Sequence, residues 1–345
     1  MKTSEKLAIG AAIVTSRVTG KARPFFVQYS LLNACDARCG YCNCPARENP
    51  LLDTRQHIGL LREWARLGAV RIKFLGGEPL LRADIGELVE ETRRLGMRAA
   101  MVTNGLRLPD RIDVVRRLSE VVISIDGNED AHDAQRGKGT WARVMRAIET
   151  CAAHRLDFFL SAVVTRRSMD QVDWLLATAK RLGVMVNFQI PQINAEMYGP
   201  GVREWMPTPD EIRSLLARIV AAKEAGAPVL FSSQSYRHTI EWQDYAVERD
   251  VRDGQASPCT AGTYFLQQEP NGDIYPCVLQ IGSFQPKNAL RDGVEQAWRH
   301  AQSHSCFSCY NTWLNENRAI FDLSPAVLGN FWKNYLRSRS GHAAS

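Results

Sequence analysis

From Phe26 to about Gln192, short apolar runs alternate with longer stretches whose apolar residues recur at helical spacing. The runs Phe26–Leu32, Arg71–Leu75, Arg98–Thr103, Val121–Ile125, Asp157–Val164 and Met185–Ile190 have strand length. Between them, His57–Leu67, Ile85–Leu95, Arg111–Leu118, Thr140–His154 and Met169–Leu182 read as helices. Three of these stop at Leu67-Gly68, Leu95-Gly96 and Leu182-Gly183, the glycine supplying the backbone freedom a helix end needs. Strands alternating with helices predict an α/β fold, a parallel sheet with its helices outside. Six units are too few for a closed eight-fold barrel and enough for an open one. In such barrels the chemistry stands at the C-terminal ends of the strands.

Beyond Ala195 the repeat stops. Pro207-Thr208-Pro209 caps a helix running to about Ala225, and a short strand at Pro228–Phe231 precedes a helix from about Ser235. The aromatics Tyr236, Trp242 and Tyr245 read as packing. Asn271-Gly272 between apolar runs predicts a hairpin of Thr263–Gln268 with Asp273–Val278. At the other end, Leu7, Ala11, Val14 and Val18 fall on one helical face, predicting an amphipathic helix packed on the body. The expected organisation is an N-terminal extension (1–25), a partial barrel (26–194), a helical bridge (195–255) and a small C-terminal α+β unit (256–345).

Composition changes this picture little. The chain has 345 residues, 45% apolar and 23% charged, with a formal net charge of +6. Its basic residues are scattered, which argues against a nucleic-acid partner, and no stretch is long and apolar enough for stable membrane insertion. Nine cysteines, an odd and sparse number, argue against a disulfide scaffold and for metal ligation in a reducing, cytoplasmic setting.

Three of them, Cys35, Cys39 and Cys42, are spaced C-x3-C-x2-C with Tyr41 before the third. Such a loop brings three thiolates to one cluster and leaves one iron open, whereas electron-transfer clusters usually take four. A zinc knuckle is the plainer alternative for the C-x2-C half. The stretch resembles the signature of the radical S-adenosylmethionine (SAM) enzymes, where SAM chelates the open iron and is split to a 5′-deoxyadenosyl radical. The resemblance implies a partial (β/α)6 TIM-type barrel with the cysteine loop after its first strand. Gly76-Gly77-Glu78-Pro79 resembles the segment that holds the amino group of SAM. Ser124, Asp126 and Arg136 resemble the segments that reach its carboxylate and ribose. Asn104, in Asn-Gly after the third strand, is either a turn residue or part of this pocket. Ser161 and Thr165 on strand five, and Asn187 and Gln189 on strand six, are further hydroxyl and amide candidates.

The C-terminal part holds Cys259, Cys277, Cys306 and Cys309, the last two expected on a turn between helices. Four cysteines can close the coordination of one metal centre, and zinc competes with a cluster here. The C-x(9–15)-G-x4-C pattern resembles the opening of SPASM and Twitch extensions, which implies a Twitch domain with an auxiliary [4Fe–4S] cluster, the second in the chain. The resemblance spans Phe26 to about Ala319. Cys151 reads as a buried thiol, and Cys44 as either buried or a hydrogen-atom donor.

The resemblance implies hydrogen abstraction from an unactivated carbon, with one-electron reduction by a flavodoxin or ferredoxin. A small-molecule substrate, a sugar, cyclitol or other specialised metabolite, is expected, with the auxiliary cluster relaying an electron. The reason is that peptide maturases usually carry a leader-binding domain before the barrel, and 34 residues precede Cys35. The alternatives are peptide modification with recognition by a separate protein, sugar epimerisation, and adenosyl addition to a lipid alkene. A non-enzymatic electron carrier or zinc module would not need the Gly76–Glu78 and Ser124–Arg136 groups.

Overall fold

The structure, a computed structural model, describes residues 3–252, 254 and 258–340. The expected boundary between 255 and 256 lies outside the described residues, as does the side chain of Leu7. Six parallel strands follow in order: β1 (Phe26–Ser30), β2 (Arg71–Leu75), β3 (Arg98–Thr103), β4 (Glu120–Ser124), β5 (Phe158–Val163) and β6 (Val186–Gln189). Further along the chain come β7 (Arg249–Val251), β8 (Phe265–Gln268), β9 (Asp273–Tyr275), β10 (Lys287–Asn288) and β11 (Cys306–Cys309). One nine-stranded sheet runs β10-β9-β8-β1-β2-β3-β4-β5-β6, and β11 pairs with β7 in a second, two-stranded sheet. The first sheet is the open, partial barrel that the alternation predicts.

The strands hold because one face is sealed. Val27, Tyr29, Ile72, Phe74, Met101, Ile123 and Leu160 are buried under helices that contribute Leu61, Trp64, Leu88 and Ile148. Truncating one of these, for example Leu61→Ala, costs about 2–5 kcal/mol through lost transfer energy and the cavity left behind. The other face is different. It carries polar side chains, Gln28, Ser124, Ser161 and Gln189 partly buried and Ser30, Lys73 and Asn187 buried, so the barrel interior is polar.

Several elements depart from the sequence-based expectation. The hairpin β8–β9 forms, but β8 also pairs parallel with β1, Phe26 opposite Phe265, so the C-terminal hairpin widens the barrel sheet. Cys306 and Cys309 sit on a strand, not a turn between helices. Their partner β7, with the sequence Arg-Asp-Val, is too short and charged to show a strand pattern. Arg111–Leu118 is a 3-10 turn plus one short helix, Ile112–Val115. Pro228–Phe231 contributes a single bridge, Val186 to Val229. The N-terminal helix Thr3–Thr19 exists, yet it packs through Ile13 while Val14 and Val18 face outward, 44% and 80% exposed. A helix the pattern missed, Glu129–Arg136, is polar along its length and capped by Asn128.

Candidate active site

The cysteine loop leaves the end of β1 and is clamped by two neighbours. Arg38 N and Gly40 N donate to the carbonyls of Arg136 and Gln135, 3.1 and 3.0 Å away, so the end of helix Glu129–Arg136 holds one side. On the other side, Gly77 N donates to Leu32 O at 2.7 Å and Glu78 N to Ala34 O at 2.9 Å. A Cβ on Gly77 would stand 2.0 Å from Ala34 O, so only glycine permits this approach. None of the nine cysteines is in a disulfide; Cys35 and Cys39 are half-buried and Cys42 is exposed. Asn104 Nδ2 lies 3.5 Å from Cys35 Sγ and donates to Asp36 at 2.9 Å, while Arg136 Nη1 is 3.9 Å from Cys39 Sγ. Burial pushes the Cys39 thiol up to about 12, against the pull of Arg136. Three thiols of one loop therefore face one rim with donors already beside them.

Glu78 is fully buried at the end of β2. Its Oε1 accepts from Thr103 Oγ1 (2.8 Å) and Leu80 N (3.1 Å), and its Oε2 from Asn104 N (2.8 Å). Burial raises its pKa to about 7 despite these donors, and Asp36 adds to the rise. Oε2 retains a lone pair, so a cationic ligand would complete its shell and restore its charge. Pro79 starts the turn that aims this carboxylate.

The third wall is a buried network around Asp126. Arg136 donates through Nε (2.7 Å) and Nη2 (3.0 Å) to the Asp126 carboxylate, which also accepts from Tyr41 OH (3.0 Å) and Val163 N (3.0 Å). The Arg136 fork is thus engaged by Asp126, and Nη1 is the part left toward the cysteines. Helix Glu129–Arg136 places His132 Nδ1 as acceptor for Asp126 N at 3.2 Å, and burial lowers the His132 pKa to about 4, keeping it neutral. Gly76 and Ser124 stand half-buried at the ends of β2 and β4, on either side of β3. Ser161 Oγ donates to Asn187 Oδ1 at 3.0 Å, and Gln189 is half-buried at the end of β6. Thr165 is fully buried and bonded to Gln135, away from any open space. Thr103 beside Glu78 and Gln135 beside the cysteine loop belong to the site although the sequence did not mark them; a lone Thr or Gln carries no spacing signal. Cys44 is buried beneath the loop, 3.8 Å from Asn33 Oδ1, and Cys151 lies in the helix–sheet core.

The second cysteine group is a cage. Cys259, Cys277, Cys306 and Cys309 line one cavity with Ala261, Leu279 and Leu314. Cys277 follows the hairpin, and the other two inner thiols come from β11. Burial raises all four thiols, Cys306 to about 12, and neighbouring sulfurs add to the rise at Cys277, Cys306 and Cys309. Among the described residues, no three His, Cys, Asp or Glu side chains converge closely enough to hold a single ion. Asn315 Nδ2 donates to Cys309 O at 2.9 Å and Arg318 Nη1 to Phe307 O at 2.9 Å, pinning β11 from the following helix.

Comparison with known proteins places this geometry. The family model of the radical SAM superfamily matches residues 29–179. The PqqA peptide cyclase of Streptomyces rochei is 30% identical over 291 residues, covering 80% of this chain and 76% of that relative. The mycofactocin maturase MftC of Mycolicibacterium smegmatis is 28% identical, covering 82% and 72%. The crystal structure of Streptococcus suis SuiB bound to SAM superposes with a TM-score of 0.65 at 17% identity, covering 82% of this chain and 68% of that one. The chain belongs to the radical SAM superfamily. It is an enzyme of radical chemistry that uses SAM and a [4Fe–4S] cluster, and the half-exposed thiols, the carboxylate with a spare lone pair and the glycine-cleared rim fit that pair. No helix among the described residues is long and apolar enough to cross a membrane.

The relatives correct two expectations. A small-molecule substrate and partner are overturned, because the relatives matched across most of this chain are named as maturases and a peptide cyclase. The length of chain before Cys35 was a poor discriminator, since leader recognition need not reside on the same polypeptide as the barrel.

Proposed function

We propose that this enzyme modifies a peptide, abstracting a hydrogen atom and completing an oxidation or closing a new bond. The observation that carries this reading is the 30% identity to a peptide cyclase across 80% of the chain. The polar barrel interior beside the cysteine rim supports it, since a peptide segment needs hydrogen-bonding partners where it enters. When bound, SAM and its cluster supply the hydrogen-abstracting radical. In this reading Cys35, Cys39 and Cys42 ligate that cluster. Gly76, Gly77, Glu78 and Pro79 receive the SAM ammonium, and Ser124 with Arg136 Nη1 faces its carboxylate. Asn104 and Tyr41 brace the loop, Asp126 orients Arg136, and Ser161 and Gln189 line the far side of the pocket.

The cage of Cys259, Cys277, Cys306 and Cys309 holds an auxiliary [4Fe–4S] cluster, as in a Twitch unit reaching from about 256 toward the C-terminus. Its supports are four thiols lining one cavity and the strand pairing that brings Cys306 and Cys309 beside Cys277. Such a cluster accepts the electron that the substrate radical must lose. The test is anaerobic turnover with SAM, dithionite and short peptides encoded beside this gene, followed by mass spectrometry. A peptide lighter by two hydrogens, formed in step with 5′-deoxyadenosine, is the expected result. If no such peptide changes mass, the reading fails. Zinc in place of iron at the cage would remove the electron-acceptor part alone.

A further inference from the structure

Lys73 is a charged group of the barrel interior that neither cofactor uses. Lys73 is the middle residue of β2, and its neighbours Ile72 and Phe74 point the other way, into the helix-covered core. Lys73 therefore faces inward, one inward position below Leu75 and about 7 Å down the strand from the SAM rim. It is 92% buried by its 8% exposure, a rare state for lysine. Among the described residues its ammonium makes no hydrogen bond or ion pair, and it lies over the face of Trp313, 5.7 Å from the ring centroid. The charges around it are Arg71 on its own strand and Glu120 on β4, and Glu120 is engaged by Arg71. Burial, with Arg71 next in effect, lowers the Lys73 pKa to about 7. A lysine kept for stability would have been given that carboxylate, because an uncompensated interior charge is costly. Two strands away, Gln267 Oε1 is also buried and without a partner.

We propose that Lys73 receives a carboxylate of the substrate, with the Trp313 ring as the wall of this subsite and Gln267 as an acceptor for an adjoining N–H. The anchored carboxylate fixes the substrate beneath the rim, so the bond to be broken faces SAM. Trp313 starts the helix Thr312–Phe321 that follows Cys309, so the same subsite touches the element beside the second cage. The proposal rests on the peptide reading only for the source of the carboxylate.

The test follows the reactivity of each of the nine lysines by competitive acylation and mass spectrometry of the SAM-loaded holoenzyme. The probes are small, so they report on Lys73 whether or not a peptide is the substrate. With N-acetylphenylalanine at tens of millimolar, Lys73 labelling near neutral pH is expected to fall about fivefold, as the protonated fraction rises from about one-half to about nine-tenths. Exposed Lys138 should not change. N-acetylphenylalanine amide should give no protection. N-acetylaspartic acid α-amide, with its free side-chain carboxylate, separates an acidic side chain from a chain terminus as the source; protection by either acid supports the subsite. Equal protection by acid and amide, or none by either acid, overturns it. In equilibrium dialysis, K73Q should lose the acid probe about tenfold and K73R should keep it; retention in K73Q would also overturn the proposal.

Discussion

The two cysteine groups differ in what surrounds them. The first lies on a rim: Cys42 is exposed, Cys35 and Cys39 are half-buried, and Asn104, Arg136 and Asp36 stand beside them. The second lines an inner cavity, with Cys277, Cys306 and Cys309 buried among Ala261, Leu279 and Leu314 and with Arg249 and Arg318 at its wall. Three thiols on an open rim leave room for a reacting molecule, whereas a cluster held by all four thiols of the cage would pass an electron and bind no substrate. The groups are nonetheless fixed to each other. Arg47, just after the first loop, forms a buried ion pair with Glu269 at the hairpin, and Leu52 N donates to Pro270 O at 3.3 Å. Asn194 Nδ2 donates to Leu279 O at 3.1 Å and Ile281 O at 3.3 Å, tying the end of β6 to the cage.

The comparison is broken most directly by emptying each group in turn. Replacing Cys35, Cys39 and Cys42 together with Ala should remove about half the iron if both clusters fill, and should abolish 5′-deoxyadenosine formation. Cys306→Ala with Cys309→Ala should also halve the iron but leave some 5′-deoxyadenosine, while modified peptide falls far more steeply. Iron analysis and chromatography of both products read this out. Full peptide yield in the double variant would make the cage structural.

A smaller effect is expected at the network behind the rim. Arg136→Ala leaves Asp126 charged and buried with only Tyr41 and Val163 as donors, a loss of about 3–5 kcal/mol for a broken buried pair. Denaturant unfolding of the apo-protein measures it. Arg136→Lys keeps charge but not the two-pronged geometry, so it should recover only part. A loss below about 1 kcal/mol would show that Asp126 is held by its other donors.

Much of this was legible because glycines and cysteines carry spacing. Gly76-Gly77 announced a close backbone approach, and the structure puts Gly77 against Ala34. The six strands announced themselves by alternating with helices, and their observed limits differ by no more than two residues at either end from those expected. What stayed hidden has long-range causes. Nothing in Phe265–Gln268 tells that it lies beside β1, because both parallel and antiparallel neighbours bury it equally. The pairing of Arg136 with Asp126 was hidden because the two are ten residues apart across a helix whose polar sequence gave no periodic signal. Lys73 looked like an ordinary charge within an apolar run.

Glu78 sharpens the contrast through pH. Its carboxyl is raised to about 7 in the fold, so below that pH it keeps its proton and offers no charge to an ammonium. SAM affinity should therefore rise about tenfold from pH 6 to pH 8, following the ionised fraction. The sign for stability is opposite. The unfolded chain releases this proton in the ordinary carboxylate range and the folded chain does not, so stability of the apo-protein falls as pH rises toward 7. Glu78→Gln should flatten both profiles. Calorimetric titration of SAM across that range decides, and an unchanged slope in the variant would assign the pH effect elsewhere.

The smallest effect is expected at Cys44, the cysteine that belongs to neither group. It is buried beside Asn33, and burial holds its thiol near 12, so it carries a hydrogen atom at working pH. A radical that must be quenched, as in an epimerisation, would need such a donor; a radical that gives up an electron does not. Oxidation or bond closure therefore predicts that Cys44→Ser keeps both 5′-deoxyadenosine and modified peptide near wild-type amounts. The serine hydroxyl finds Asn33 Oδ1 as acceptor, so the stability loss should stay near 1 kcal/mol. Product amounts and thermal unfolding measure the two sides. If 5′-deoxyadenosine continues while modified peptide disappears, Cys44 is the donor, the chemistry ends in hydrogen return, and the second cage is not the acceptor of the substrate's electron.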